Sequence, residues 1–153
     1  MFLILVSSLY CKSTLYYIHI YSDKYNVDHR VIQALIDVES NGKLNALSNK
    51  GAIGITQVML QTVRDYYLYK HRKYGYKWAW IWYKSPDKVL RNHAKLQHIN
   101  IQICCWKLRQ LLNHYNDNYL MALNAYLHGI TGSKNKTAWG YLNKIIDNMV
   151  AFK

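Results

Sequence analysis

Of the eight acidic side chains in this 153-residue chain, seven are aspartates and one is a glutamate, Glu39. It lies in a run whose apolar positions, Val31, Ile32, Leu35, Ile36 and Val38, follow helical spacing. At about 100° of rotation per residue, Glu39 falls within roughly 60° of Ile32, Leu35 and Ile36, whereas Asp37 points to nearly the opposite side. The one glutamate therefore faces the side that must be buried. A carboxylate there loses hydration, and without a cationic partner its pKa rises from about 4.3 towards 6 or beyond, which suits a general acid near neutral pH. On position alone the competing reading is a helix-end carboxylate, solvated or paired with one of the 20 Lys and Arg residues.

The residues that follow decide between these readings. Glu39-Ser40 is succeeded by Ser48, by Gly51-Ala52-Ile53-Gly54-Ile55 and by Gln57-Val58-Met59. This set resembles the soluble lytic transglycosylase family, with its lysozyme-like catalytic domain, whose signature is an E-S pair, a downstream S-x-x-G-A-x-G segment and a Q-x-M. Further segments extend the resemblance over most of residues 18–130. Tyr25-Asn26-Val27-Asp28 looks like the lead into the catalytic helix, Asn100-Ile101 with Leu108 and Leu111-Leu112 like a later helix, and Ala122-Leu123-Asn124-Ala125-Tyr126 like the A-L-x-A-Y-N-A-G segment.

The resemblance implies a mostly α, single lysozyme-like domain of the goose-lysozyme and lytic transglycosylase type. It implies cleavage of the β-1,4 bond between N-acetylmuramic acid and N-acetylglucosamine in peptidoglycan glycan strands, without a cofactor, giving 1,6-anhydromuramoyl ends. Glu39 would be the catalytic acid and base; Ser48, Gln57 and Met59 would bind the sugar, and Tyr126 would hydrogen-bond Glu39 and line the site. Ser40, Gly51 and Gly54 would support the backbone, the glycines through positive φ or close approach of the glycan. A single carboxyl fits this scheme, because ordinary retaining and inverting glycosidases use two.

Four positions, at three places, depart from the family pattern. Leu127-His128 stands where Asn-Ala is usual, removing an amide that would help hold substrate. Cys104 replaces a helix glycine, implying looser packing or a shifted helix, and Leu60 replaces a proline. Two other readings follow: a hydrolytic goose-type lysozyme in which one glutamate activates water, and a catalytically silent wall-binding structural protein.

The elements that must position these residues read as helices. Residues 14–25 form a helix, Asp28 is an N-cap for the run ending near Asn41-Gly42, and a polar loop leads to a helix at 57–70. Tyr74–Tyr83, with Trp78, Trp80 and Trp82 at period two, reads as either a strand-like edge or an aromatic loop. Ser85-Pro86-Asp87 is a helix start, with Ser at the N-cap and Pro at the first turn. That helix runs to about Tyr115, with a break near Gln97–Asn100. Helices over 119–128 and 137–150, separated by a Gly129–Lys136 loop, complete one domain over 13–153.

Composition agrees with a folded chain: 51% apolar, 18% charged and one proline. The net charge of +12 attracts polyanions such as nucleic acid, acidic lipid or an anionic cell wall. A nucleic-acid role has no recognition motif behind it. Cys11, Cys104 and Cys105 have neither zinc-ligand nor C-x-x-C spacing, and the seven histidines make no ligand pair, so no metal is expected. Residues 1–12 read as a hydrophobic leader or a first helix, too short for a stable membrane span and interrupted by Lys12. The expected location is the cell envelope, the periplasm or a virion, with virion or secretion-machinery proteins as partners.

Overall fold

The computed structural model describes the backbone of residues 2–133 and 138–151 and the side chains of residues 14–132 and 138–150. Within them lie eight helices: α1 (Phe2–Tyr25), α2 (His29–Ser40), α3 (Leu60–Tyr74), α4 (Lys77–Lys84), α5 (Asp87–Ala94), α6 (Gln97–His114), α7 (Tyr119–Ser133) and α8 (Trp139–Ala151). The mostly helical class expected from the sequence is the one observed. Among the described residues no helix is long and apolar enough to cross a membrane.

α2 is set by both of its ends. The Asp28 carboxylate accepts the Arg30 N–H at 2.9 Å, which satisfies one of the helix's otherwise unpaired first-turn donors. At the other end Asn41, at φ 52°, turns its N–H onto the Asp37 carbonyl and stops the helix. Val31, Ile32, Ala34, Leu35 and Ile36 are buried, where α2 packs against α1, α6 and α8. α6 is apolar around most of its circumference, as a helix enclosed by neighbours must be, with Ile101, Ile103, Cys104, Leu108 and Leu112 all at zero exposure. Cys104 and Cys105 are free thiols in this core; the side chain of Cys11 lies outside the described residues.

Several boundaries differ from expectation, each for a local reason. The helix expected from 57 begins at Leu60, because Val58 is held in a bridge to Ile53 and Gln57 sits at φ 51°, outside helical geometry. The aromatic stretch 74–83 is neither an edge strand nor a loop over most of its length: Lys77–Lys84 is helical. Its alternating tryptophans hid an i, i+4 pairing, since Ala79 is buried and Tyr83 half-buried on the side that meets α3. Ser85 does not cap the following helix. Its hydroxyl donates backwards to the Ile81 carbonyl at 2.9 Å, closing α4, and Pro86 takes the N-cap position of α5.

The break near Gln97–Asn100 falls slightly earlier, at Lys95–Leu96, between α5 and α6. α7 passes the expected end at 128 and continues to Ser133 across a kink at Gly129, whose φ of 73° and ψ of 163° interrupt the helix. Residues 134–137 of the expected loop, and the first position of the expected last helix, lie outside the described residues. Residues 2–12, read as leader or first helix, share one continuous helix with Ile18 and Ser22, both buried in the domain.

Candidate active site

Glu39 is the penultimate residue of α2 and is only partly exposed. The Tyr141 hydroxyl, from α8, donates to its Oε1 at 2.6 Å, a short bond of the charge-assisted kind. Burial raises the Glu39 carboxyl above its ordinary range, and the Tyr141 bond partly offsets this by favouring the ionised form. No cation is among the causes. The ion pairs among the described residues join Arg30 to Asp28, Arg64 to Asp87 and Arg109 to Asp117, and leave Glu39 out. Among the described residues no cation pairs with Glu39, as the paired form of the competing sequence reading would require. Burial of the same pair, and the charge of Glu39, raise the Tyr141 phenol, which stays a hydrogen-bond donor through the physiological range.

Behind Glu39 the loop between α2 and α3 is pinned from three sides. The buried Ser40 hydroxyl donates to the Ile55 carbonyl at 2.7 Å, tying the end of α2 to the loop. From α7, the Tyr126 hydroxyl donates to the Thr56 carbonyl at 3.0 Å. From α6, the fully buried Asn100 uses its whole amide: Oδ1 accepts from the Thr56 N–H at 2.9 Å and the Thr56 hydroxyl at 2.7 Å. Its Nδ2 donates to the Ile53 and Ala94 carbonyls at 2.9 and 2.8 Å. Within the loop, Ile53 bridges both Leu47 and Val58. Gly54 is required twice over, because its φ is 75° and an added Cβ would lie 2.4 Å from Asn100 Nδ2. Gly51, at φ 84°, takes a left-handed turn below the Arg91 guanidinium, which donates to its carbonyl at 3.1 Å.

The expected site residues separate into two groups. Gln57, Met59 and Tyr126 come together, with Val58, Thr62 and Lys107, around a depression of about 30 Å³. Met59 is exposed there, and the Gln57 side-chain amide is turned inward onto the Gly54 carbonyl at 2.9 Å. Ser48 does not line this depression. Its hydroxyl accepts from the Ala52 N–H at 3.0 Å, closing the turn around Gly51.

The hydrogen bond from Tyr126 to Glu39 that the resemblance implies is absent. The Tyr126 hydroxyl is spent on the loop backbone, and Tyr141 takes the carboxylate instead. Tyr126 remains close enough for the Glu39 charge to raise its phenol, though burial is the larger cause. Cys104, at the position where looser packing was expected, is fully enclosed, with its thiol against the Tyr126 hydroxyl and Thr56 and pushed up to about 11 by burial.

Sequence reasoning misses Tyr141 because it lies 102 positions from Glu39. A signal was present, since Tyr141 shares the inward stripe of α8 with the buried Leu142 and Ile145, and a phenol in such a stripe needs an acceptor. Its removal is readable in solution: Tyr141→Phe deletes a bond that stabilises the carboxylate, so the Glu39 pKa should rise further. Titration of Glu39 by NMR, with its carboxyl carbon labelled, should show the midpoint moving to higher pH; an unmoved midpoint would mean the bond is not formed in solution.

Comparisons with known proteins bear on the family and the fold. The transglycosylase SLT domain family matches residues 16–146. A curated relative, the membrane-bound lytic murein transglycosylase E of Buchnera aphidicola, is 49% identical over 41 residues, 27% of this chain and 19% of the relative. The crystal structure of an inactive mutant of the lytic transglycosylase Slt from Pseudomonas aeruginosa superposes with a TM-score of 0.60 at 19% identity. That match covers 86% of this chain and 21% of the Slt chain, so the present chain spans about a fifth of the length of each. With its loop, its partly buried glutamate and a family match across most of its length, the chain belongs to the transglycosylase SLT domain family.

Proposed function

We propose that residues 13–153 form a peptidoglycan lytic transglycosylase domain in which Glu39 is the sole acid and base. The observation that carries this reading is a carboxyl whose pKa is raised by burial, paired with no cation among the described residues and held by the Tyr141 phenol. In the first step the protonated Glu39 gives its proton to the glycosidic oxygen as the bond from C1 of N-acetylmuramic acid breaks, releasing the N-acetylglucosamine hydroxyl. In the second the muramoyl C6 oxygen closes on C1 and its proton returns to Glu39. One C–O bond breaks and one forms, no water is consumed, and the enzyme regains its proton.

Tyr141 orients the carboxyl through both steps and stabilises the anion that exists between them. Gln57, Met59 and Tyr126 take the sugar-binding roles that the family resemblance implies, while Ser48, which closes the turn around Gly51, joins Ser40, Gly51 and Gly54 in holding the backbone that presents them. The substrate is the glycan strand, and the setting is the cell envelope, either for phage entry or for local wall opening during assembly of a secretion apparatus. Mass spectrometry of digested sacculi tests the chemistry directly. Anhydromuramoyl ends are expected; reducing ends would make the enzyme a hydrolase, and an untouched substrate would leave a wall-binding protein.

A further inference from the structure

α4 and the end of α3 carry a surface that the chemistry at Glu39 does not use. From residue 66 to residue 86 there is no acidic side chain, while the exposed Arg72, Lys73, Lys77 and Lys84 supply four positive charges, with a fifth on the buried Lys70 beneath them. Ala79 turns inward, and Trp82 is stacked on His93 with ring centroids 3.6 Å apart. The opposite side of α4 is left to solvent: Trp78 is 47%, Trp80 40% and Ile81 67% exposed. Tyr74 and Tyr76 extend the same exposed aromatic run.

The arrangement of the rings narrows what this surface can bind. A sugar or a nucleic-acid base stacks on an open aromatic face. Here the faces are largely occupied by other groups. Tyr74, Tyr76 and Trp78 stack on one another with centroids 5.3 and 5.5 Å apart. The Lys70 and Lys73 ammoniums sit 5.0 and 5.5 Å from the Tyr74 centroid. Trp80 stacks on Tyr83 at 5.2 Å, with the Lys84 ammonium 4.8 Å from its centroid. What remains outward is ring edges, an aliphatic tip at Ile81 and a surround of lysines.

That combination matches the boundary of a bilayer, where Trp and Tyr sit at headgroup level, an aliphatic side chain reaches the acyl region, and Lys stems lie along apolar surface with their charges on anionic headgroups. We propose that α4 with the last turn of α3 is a membrane-interface anchor, which lays the exposed rings and Ile81 onto an anionic phospholipid surface. The helix lies on the bilayer and does not enter it. The proposal is independent of the reaction assigned to Glu39, since nothing at that carboxyl takes part in it.

Flotation of the full chain with vesicles of phosphatidylcholine, with or without phosphatidylglycerol, tests it. Binding to the phosphatidylglycerol vesicles is expected, with a blue shift of tryptophan fluorescence, because three of the five tryptophans lie on α4. Trp80→Ser combined with Ile81→Ser should weaken partitioning at least tenfold, on the order expected for lost apolar insertion. Lys77→Glu with Lys84→Glu should weaken it by about tenfold or more and make the two vesicle types equivalent. Trp139→Ser, at an exposed ring on α8, should leave binding unchanged. No binding to anionic vesicles, or equal binding by wild type and both double variants, overturns the proposal. Retention on purified glycan strands that is lost in the Trp80 and Ile81 variant, without lipid binding, assigns the surface to sugar and equally overturns it.

Discussion

Glu39→Gln should reduce cleavage of purified sacculi by roughly 10²- to 10⁴-fold, towards the upper end because in the proposed reaction one group performs both proton transfers. The substitution keeps size and leaves an oxygen to accept the Tyr141 bond, so the loss would report the missing proton and not a missing contact. Turbidity clearing gives the rate and mass spectrometry of the muropeptides gives the product; equal clearing by parent and variant would remove Glu39 from the chemistry. Under the proposed reaction the group begins protonated in the parent, so activity should fall as pH rises through its raised pKa.

A second consequence separates stability from activity. Because folding raises the Glu39 pKa, the stability linked to this group is full below the ordinary carboxylate range and is lost as pH rises through the folded value. A neutral amide does not suffer that loss. Glu39→Gln should therefore melt higher than the parent at neutral pH, with the difference closing in acid.

The largest effect on stability is expected at Asn100. Its amide makes four hydrogen bonds at zero exposure, to Thr56 twice and to the carbonyls of Ile53 and Ala94. Asn100→Ala would leave buried donors and acceptors without partners at about 1–3 kcal/mol each, partly relieved by entering water. A total loss of roughly 3–5 kcal/mol places this among the most damaging single substitutions, and for a chain of this length corresponds to a fall in melting temperature of roughly 10 °C. Gly54→Ala should destabilise independently, through its positive φ and through the clash with the same amide. Since the clash disappears when Asn100 is shortened, the double variant should be less damaged than the sum of the two. Strict additivity in calorimetry would show that the loop relaxes away from α6 instead.

The parts of this molecule that could be read in the sequence are those set by local spacing. The helical phase of Ile32, Leu35 and Ile36 placed Glu39 on the buried side of α2 without any knowledge of what would cover it. Gly51 and Gly54 could be read as backbone positions, and both have positive φ. Relations between distant segments were not accessible in that way. Nothing near Tyr141 or Tyr126 says which phenol reaches the carboxylate, because the choice depends on how α7 and α8 cross the end of α2. The tryptophans of α4 misled for a related reason: a short helix whose outward face is itself aromatic lacks the contrast between faces that periodicity depends on. Ser85 illustrates a third limit, since a hydroxyl between two helices can serve either, and here it closes the first.

The placement of Tyr141 on α8 means that a later-made helix completes a site begun on α2. A ribosome that has emitted α2 has already produced the acid, yet the phenol that aims it emerges only 102 residues later. Because synthesis runs from the N-terminus, a nascent or truncated polypeptide ending before residue 139 would carry an unaimed carboxyl.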